Sequence, residues 1–183
     1  MKKVVLIALI IMICTVALWA QQGAAFADKP AVLTSLGQSA DLEMVRVLLN
    51  RGGITFRADA VIQAGDLTSN DKTLILVIGG SSKGLGAAGV SQADEMRRTQ
   101  ALLQRAKDLN MSIIALHIGG AARRGPLSDE LIKYAVPLAN YTIIVTDSNQ
   151  DGLFTSLTNA ARIPLSIVER ISAVGTPLTA AFR

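Results

Sequence analysis

Four stretches of the chain set glycine, hydroxyl and charged residues directly after an apolar run. They are Gly37-Gln38-Ser39-Ala40-Asp41, the loop Gly79 to Gly89 that opens with Gly80, Ser81, Ser82, Lys83 and Gly84, the segment His117 to Gly125 with Arg123 and Arg124, and Asp147-Ser-Asn149-Gln-Asp151-Gly152. Two chemistries suit these residue types. A glycine-rich turn leading into a helix presents backbone N–H groups and a positive helix end to an anion. Lys83, Arg123 and Arg124 add charge, and arginine holds a carboxylate or phosphate through two parallel hydrogen bonds. The other chemistry is nucleophilic: Gly37-x-Ser39 falls one residue short of the G-x-S-x-G elbow, with Asp41 where the final glycine belongs. His117, the only histidine, would then be the base and Asp147 or Asp129 the orienting acid, although here histidine would precede the acid in the chain. Ser39 as a plain helix cap explains the same residues with fewer assumptions.

Sharper motifs fail on their context. Gly80-x-x-x-Gly84-x-Gly86 fits the dinucleotide turn of short-chain dehydrogenases, but it follows the third strand rather than the first. Neither Tyr134 nor Tyr141 has a lysine four residues on, where Leu138 and Val145 stand. A phosphate-binding P-loop would need Ser or Thr after Lys83, and Gly84 is there. Asp147-x-Asn149-x-Asp151-Gly152 matches the first half of a calcium loop, yet the bidentate glutamate of the twelfth position is replaced by Thr158. Asn149 as a turn residue and Asp151 as a helix cap account for it. Without a second histidine, and with Cys14 the only cysteine, a structural zinc site has no ligand set. No metal and no cofactor is expected.

The elements that must position these loops alternate along the chain. Apolar runs predict strands at 31–36, 54–57, 73–78, 112–116, 141–145 and 164–168. Amphipathic helices are predicted at 41–50, with Leu42, Val45, Leu48 and Leu49 inward and Ser39 as cap, and at 91–109, with the capping spacing Ser91…Asp94 and an Asp94/Arg98 pair. Two more follow, one capped by Ser128 and ending near Pro137, one over 151–161; the last residues read as a tail or short helix. Residues 58–72 carry no clear pattern. The expected fold is α/β: one doubly wound, mainly parallel sheet of five to six strands, flavodoxin-like or Rossmann-like, with helices on both faces. In the order 2-1-3-4-5 the crevice lies between the first and third strands, beyond their C-terminal ends. All four polar loops leave from that edge.

Composition bounds the compartment and partners. Met1-Lys2-Lys3 followed by the uncharged run Val4 to Trp19 and by Ala25-Phe26-Ala27 reads as an export signal with cleavage near Ala27, leaving residues 28–183 as a single domain. An uncleaved anchor is the alternative. Ile13 before Cys14 disfavours a lipoprotein. The formal charge of +4 includes Lys2 and Lys3, and aromatic residues make up only 4% of the chain, with no basic run interleaved with them. Nucleic acid is therefore not an expected partner.

Three segments resemble the signature segments of an uncharacterised bacterial family of exported proteins known only as a domain of unknown function. These are Lys83-Gly-Leu-Gly-Ala-Ala-Gly89, His117-Ile-Gly-Gly with Arg123-Arg124-Gly125 and Ser128-Asp129, and Asn149-Gln-Asp151-Gly152-Leu-Phe154. The resemblance extends from about Pro30 to Val174 and implies a secreted or periplasmic single domain, with no activity or ligand attached. From the residues themselves, the expected function is binding of a small anionic solute for uptake or sensing, with a membrane transporter or sensor as partner. Ser39, Asp41, Gly80, Ser81, Ser82, Lys83, Gly84, His117, Arg123, Arg124, Asn149 and Asp151 would line the site; a serine hydrolase using Ser39, His117 and Asp147 is the alternative.

Overall fold

Six short apolar runs become six parallel strands: β1 (Ala31–Leu36), β2 (Phe56–Ala58), β3 (Thr73–Ile78), β4 (Ser112–His117), β5 (Tyr141–Val145) and β6 (Leu165–Val168). They are ordered β2-β1-β3-β4-β5-β6 in one sheet. The computed structural model describes residues 25–183, so the charged start, the apolar run to Trp19 and Cys14 lie outside the described residues. The central register sets Ala31 beside Thr73, Thr73 beside Ser112 and Ile114 beside Tyr141. Every residue of β1 and β3 is buried. A strand buried on both faces reads as a continuous apolar run rather than an alternation, which is why these strands were legible in the sequence.

Side chains alternate between two cores. Val32, Leu74, Leu76, Ile113 and Ile144 point to one face, where they meet α3 (Gln92–Asp108), α4 (Pro126–Ala135) and Phe154 of α5 (Leu153–Ala161). Leu33, Ile75, Val77, Ile114 and Ile143 point to the other, under α1 (Asp41–Arg51) and α6 (Gly175–Ala180). The unpatterned segment 58–72 also has a packing role. Its Ile62 and Leu67 are buried in the first core, while Asp71 accepts from Arg57 Nε at 3.2 Å, from Arg57 Nη2 at 3.0 Å and from Thr68 N at 2.8 Å.

Several local expectations need correction. Residues 82–87 form a short helix, α2 (Ser82–Ala87), inside the glycine-rich loop. β2 begins at Phe56 rather than Ile54. The α4 start is Gly125, at φ 144°, followed by Pro126 at the first helical position, where its missing N–H costs nothing. Ser128 is therefore inside the helix and buried, not a cap. Ser91 does cap α3, accepting from Asp94 N at 3.0 Å.

The predicted Asp94/Arg98 pair is replaced by two others. Asp94 pairs with Arg97 on the solvent side, and Arg98 turns inward to Glu95. Glu95 has no exposed surface and Arg98 retains 6%. Glu95 Oε2 accepts from Arg98 Nε at 2.9 Å; Oε1 accepts from Arg98 Nη2 at 2.8 Å, from Gly37 N at 2.7 Å and from Gln38 Nε2 at 3.1 Å. Arg98 also donates to the carbonyls of Ser35 and of Ile62, the latter at 3.0 Å. The pair thus ties α3 to the end of β1 and to the loop that follows it.

Burial pushes the Glu95 carboxyl up, but the bonds from Arg98, Gly37 and Gln38 outweigh it and hold its pKa below the ordinary value. Because the folded value is the lower one, the stabilisation is complete above the unfolded pKa of about 4.3 and is lost as falling pH passes through the folded pKa. Glu95→Gln leaves Arg98 buried without a counter-charge and is expected to cost about 3–5 kcal/mol at neutral pH. It should also flatten the acid arm of the stability profile below about pH 4. Urea titrations of both proteins from about pH 3 to about pH 7 read out both effects.

Candidate functional site

The strand order reverses between β1 and β3, and the loops leaving their C-terminal ends meet there. Gly37, at φ 97°, and Gln38, at φ 60°, turn the chain out of β1. Gln38 forms an isolated antiparallel bridge with Gly80, and Ser81 N donates to Gly37 O at 2.8 Å. The root of the crevice is closed by backbone pairing between its two walls. Ser39 lies just above it, 5% exposed, and its Oγ accepts a long 3.4 Å bond from Asp41 N in place of a full helix cap.

Glycines let the charged groups approach this point. A Cβ on Gly79 would sit 2.8 Å from Ser39 Oγ and 3.3 Å from Asp41 Oδ2. A Cβ on Gly119, after β4, would sit 2.6 Å from Asp41 Oδ2 and would overlap the Arg123 side chain. Ser39, Asp41 and Arg123 therefore converge over two bare Cα atoms, one beyond β3 and one beyond β4. Arg123 Nε lies 3.6 Å from Asp41 Oδ2, too long for a hydrogen bond, and the Arg123 side chain is 35% exposed. Asp41 Oδ2 is buried and has no hydrogen-bond partner among the described residues. Neither terminal amino group of Arg123 has one either.

The glycine-rich loop, by contrast, spends its donors internally. Gly80 N donates to Ser128 Oγ at 2.7 Å, and Gly84 N donates to Ser81 Oγ at 3.0 Å. Ser128 Oγ in turn donates to Arg123 O at 2.5 Å, so the loop after β3 fixes the backbone of the loop after β4. Gly84 packs its Cα on the Gln38 carbonyl oxygen, where any side chain would collide, and a Cβ on Gly80 would lie 2.6 Å from Leu127 Cγ. Ser82 and Lys83 are exposed on α2.

Arg124 also departs from the expected arrangement. Its guanidinium binds Asp129 at 2.7 and 3.2 Å, Asp151 at 3.0 and 2.8 Å, and Ser148 O at 2.6 Å. Those bonds raise the Arg124 pKa further and hold both aspartates below the usual carboxylate range. The arginine lies over the Phe154 ring at 5.7 Å. Asn149 Oδ1 accepts from Phe154 N at 2.9 Å and Asp151 Oδ1 from Leu153 N at 3.2 Å, so both cap the start of α5. Arg124, Asp129, Asn149 and Asp151 form a clamp joining α4, α5 and the loop after β5.

His117 is fully buried. Its Nδ1 donates to Ile78 O at 2.8 Å, Nε2 lies 3.4 Å from Gly120 O, and the ring packs on Phe154 at 5.4 Å. Burial lowers its pKa, against the opposing pull of the two carbonyls, and favours the neutral ring. No hydrogen bond joins it to Ser39, Asp129 or Asp147, and Asp147 is exposed. Of the residues that sequence reasoning assigned to the site, the structure gathers Ser39, Asp41 and Arg123. It spends Gly80, Ser81, Gly84 and His117 on joining loops. Reading from sequence missed Glu95 and Ser128, whose shared signal is a polar residue on the core-facing stripe of a helix.

Fold and site together define an open, doubly wound α/β domain in which Ser39, Asp41 and Arg123 converge at the switch point. Residues 28–182 match the family described as Domain of unknown function (DUF6305), and the chain belongs to that family. No curated protein matches it. Among solved structures, the chain is similar to the SGNH-hydrolase family esterase AlinE4, at 10% identity and TM-score 0.32 over 79% of this chain and 78% of that one. Two mutants of the same esterase give 10% identity and TM-score 0.31 over the same shares. Likeness at that level transfers no residue role.

Substitutions should separate the packed glycine from the exposed lysine beside it. Gly84→Ala is expected to destabilise by about 1–3 kcal/mol, because the Gln38 backbone has to move. Lys83→Ala should stay within about 0.5 kcal/mol of the parent. Equilibrium urea unfolding measures both.

Proposed function

We propose that the domain is an extracytoplasmic binding protein that takes a small anionic solute, a carboxylate or phosphate, on Arg123. Delivery to a membrane transporter or sensor follows from that role. The observation that supports it is the loose Arg123–Asp41 pair at 3.6 Å above the Ser39 hydroxyl. An arginine held this loosely keeps its fork of donors for a ligand. The second charge comes from Lys83, exposed on the same edge. Arg124 contributes no free donors, so the ligand's charge rests on fewer cations than a basic crevice of three would supply.

Asp41 narrows the ligand class. Its unpartnered Oδ2 requires a hydrogen-bond donor, since a buried carboxylate oxygen left unpaired is costly. The best match is an anion that also carries a proton, such as hydrogen phosphate or a hydroxy acid. Sulfate, which has no proton at neutral pH, fits less well.

Hydrolysis by Ser39 is the competing reading. It draws on the position of Ser39 after β1, but His117 would have to leave two backbone carbonyls to act as its base. Binding requires no such rearrangement.

Thermal-shift screening of the folded domain against phosphate, sulfate, hydroxy acids, simple carboxylates and neutral sugars discriminates among these. A ligand at about 100 times its dissociation constant adds about 2.7 kcal/mol to the folded state. Phosphate or a hydroxy acid should shift melting more than sulfate, and Arg123→Ala should weaken binding by about 1.5–3 kcal/mol. A shift by neutral sugars alone, or one unchanged in Arg123→Ala, overturns the reading. Ester turnover lost in both Ser39→Ala and His117→Ala would establish the hydrolase instead.

A further inference from the structure

Residues 26 and 27 are built into the folded domain. Ala27 has no exposed surface and forms a parallel bridge with Phe182 near the C-terminus. Its N–H donates to Ala181 O at 2.9 Å, and its carbonyl accepts from Arg183 N at 3.0 Å. Phe26 N donates to Ala181 O at 3.0 Å, Ser112 Oγ donates to Phe26 O at 3.5 Å, and the Phe26 ring stands edge-on to Tyr141 at 6.1 Å. Both residues pack into the core beneath α1 and α6.

Leader removal requires small residues at the first and third positions before the cut. Two adjacent sites satisfy that rule: Ala25-Phe26-Ala27, cut before Asp28, and Gly23-Ala24-Ala25, cut before Phe26. The spacing alone does not choose between them. The packing does. A cut before Asp28 removes a fully buried alanine, an aromatic contact and the strand-like pairing to the C-terminus. A cut before Phe26 removes none of these and gives up only the exposed bond from Arg183 Nε to Ala25 O at 3.1 Å, while the new amino group of Phe26 keeps the donor that reaches Ala181 O.

We propose that the leader is removed after Ala25, so that the mature chain begins with Phe26. In the reaction a membrane-bound leader peptidase hydrolyses the Ala25–Phe26 bond: water supplies the hydroxyl that completes the Ala25 carboxyl group and the hydrogen that completes the Phe26 amine. The proposal rests on the export reading but not on the identity of the ligand.

The test uses the full-length chain expressed in a bacterium, with the N-terminus of the exported protein determined by sequencing or intact mass. Phe26 is the expected first residue. Two substitutions then separate the sites, read by the same N-terminal sequencing or intact mass on denatured protein so that folding does not enter. Gly23→Phe places a bulky group three residues before the proposed cut and should abolish the Phe26 terminus, shifting cleavage to the remaining site before Asp28. Ala27→Phe lies beyond that cut and should leave processing intact. An unsubstituted mature chain starting at Asp28, or processing blocked by Ala27→Phe and not altered by Gly23→Phe, overturns the proposal while leaving export standing. Retention of Met1 overturns the proposal and the export reading together.

Discussion

The buried pair of Glu95 and Arg98 is the constraint on which the switch-point edge depends. Two charges taken out of water are costly unless each finds several partners. Here the partners are the last residues of β1 and the first of its loop: Ser35 O on the arginine, Gly37 N and the Gln38 side chain on the glutamate. Satisfying the ion pair therefore determines where the chain leaves the sheet. The left-handed turn at Gly37 and Gln38, the bridge from Gln38 to Gly80, and the seat of Ser39 follow from it in sequence.

A chain of short polar contacts carries that order across the crevice. Gln38 meets Gly80, Gly80 meets Ser128, and Ser128 meets the carbonyl of Arg123. Each link uses a backbone group, and together they join the loops after β1, β3 and β4 through the first turn of α4. The glycine-rich segment, whose composition suggests an anion cradle, works as mortar between loops in this arrangement. Charge beside Ser39 is then set by one loosely held arginine facing one carboxylate, with Lys83 exposed on the same edge.

The sheet was legible because its physics is local. Strands buried on both faces show uninterrupted runs such as Thr73 to Ile78 and Tyr141 to Val145, and their boundaries match the observed ones. The site was legible only as an edge. Arg123 and Arg124 are neighbours in sequence with the same chemistry, and nothing in their spacing tells that Asp129 and Asp151 consume the second while the first stays loosely paired. Helix pairing rules set Arg98 beside Asp94 on the surface, yet Arg98 shares its stripe with Leu102, which belongs to the core. Pro126 and Gly125 held the true start of α4, a stronger signal than the hydroxyl of Ser128. Residues 58–72 showed no period because Ile62 and Leu67 plug the core one at a time from an irregular backbone.

The pairing of Ala27 with Phe182 has a geometric corollary. Thr73 and Ser112, the first residues of β3 and β4, donate to Asp28 O and Phe26 O, so both ends of the domain sit at the edge where strands begin. The crevice lies at the edge where they finish. A tether attached to either end leaves the edge that carries Ser39, Asp41 and Arg123 pointing away from its anchorage. The same adjacency makes the polypeptide nearly a ring: a short linker from Arg183 to Phe26 closes it, and new ends can be opened in an exposed loop without disturbing strand order.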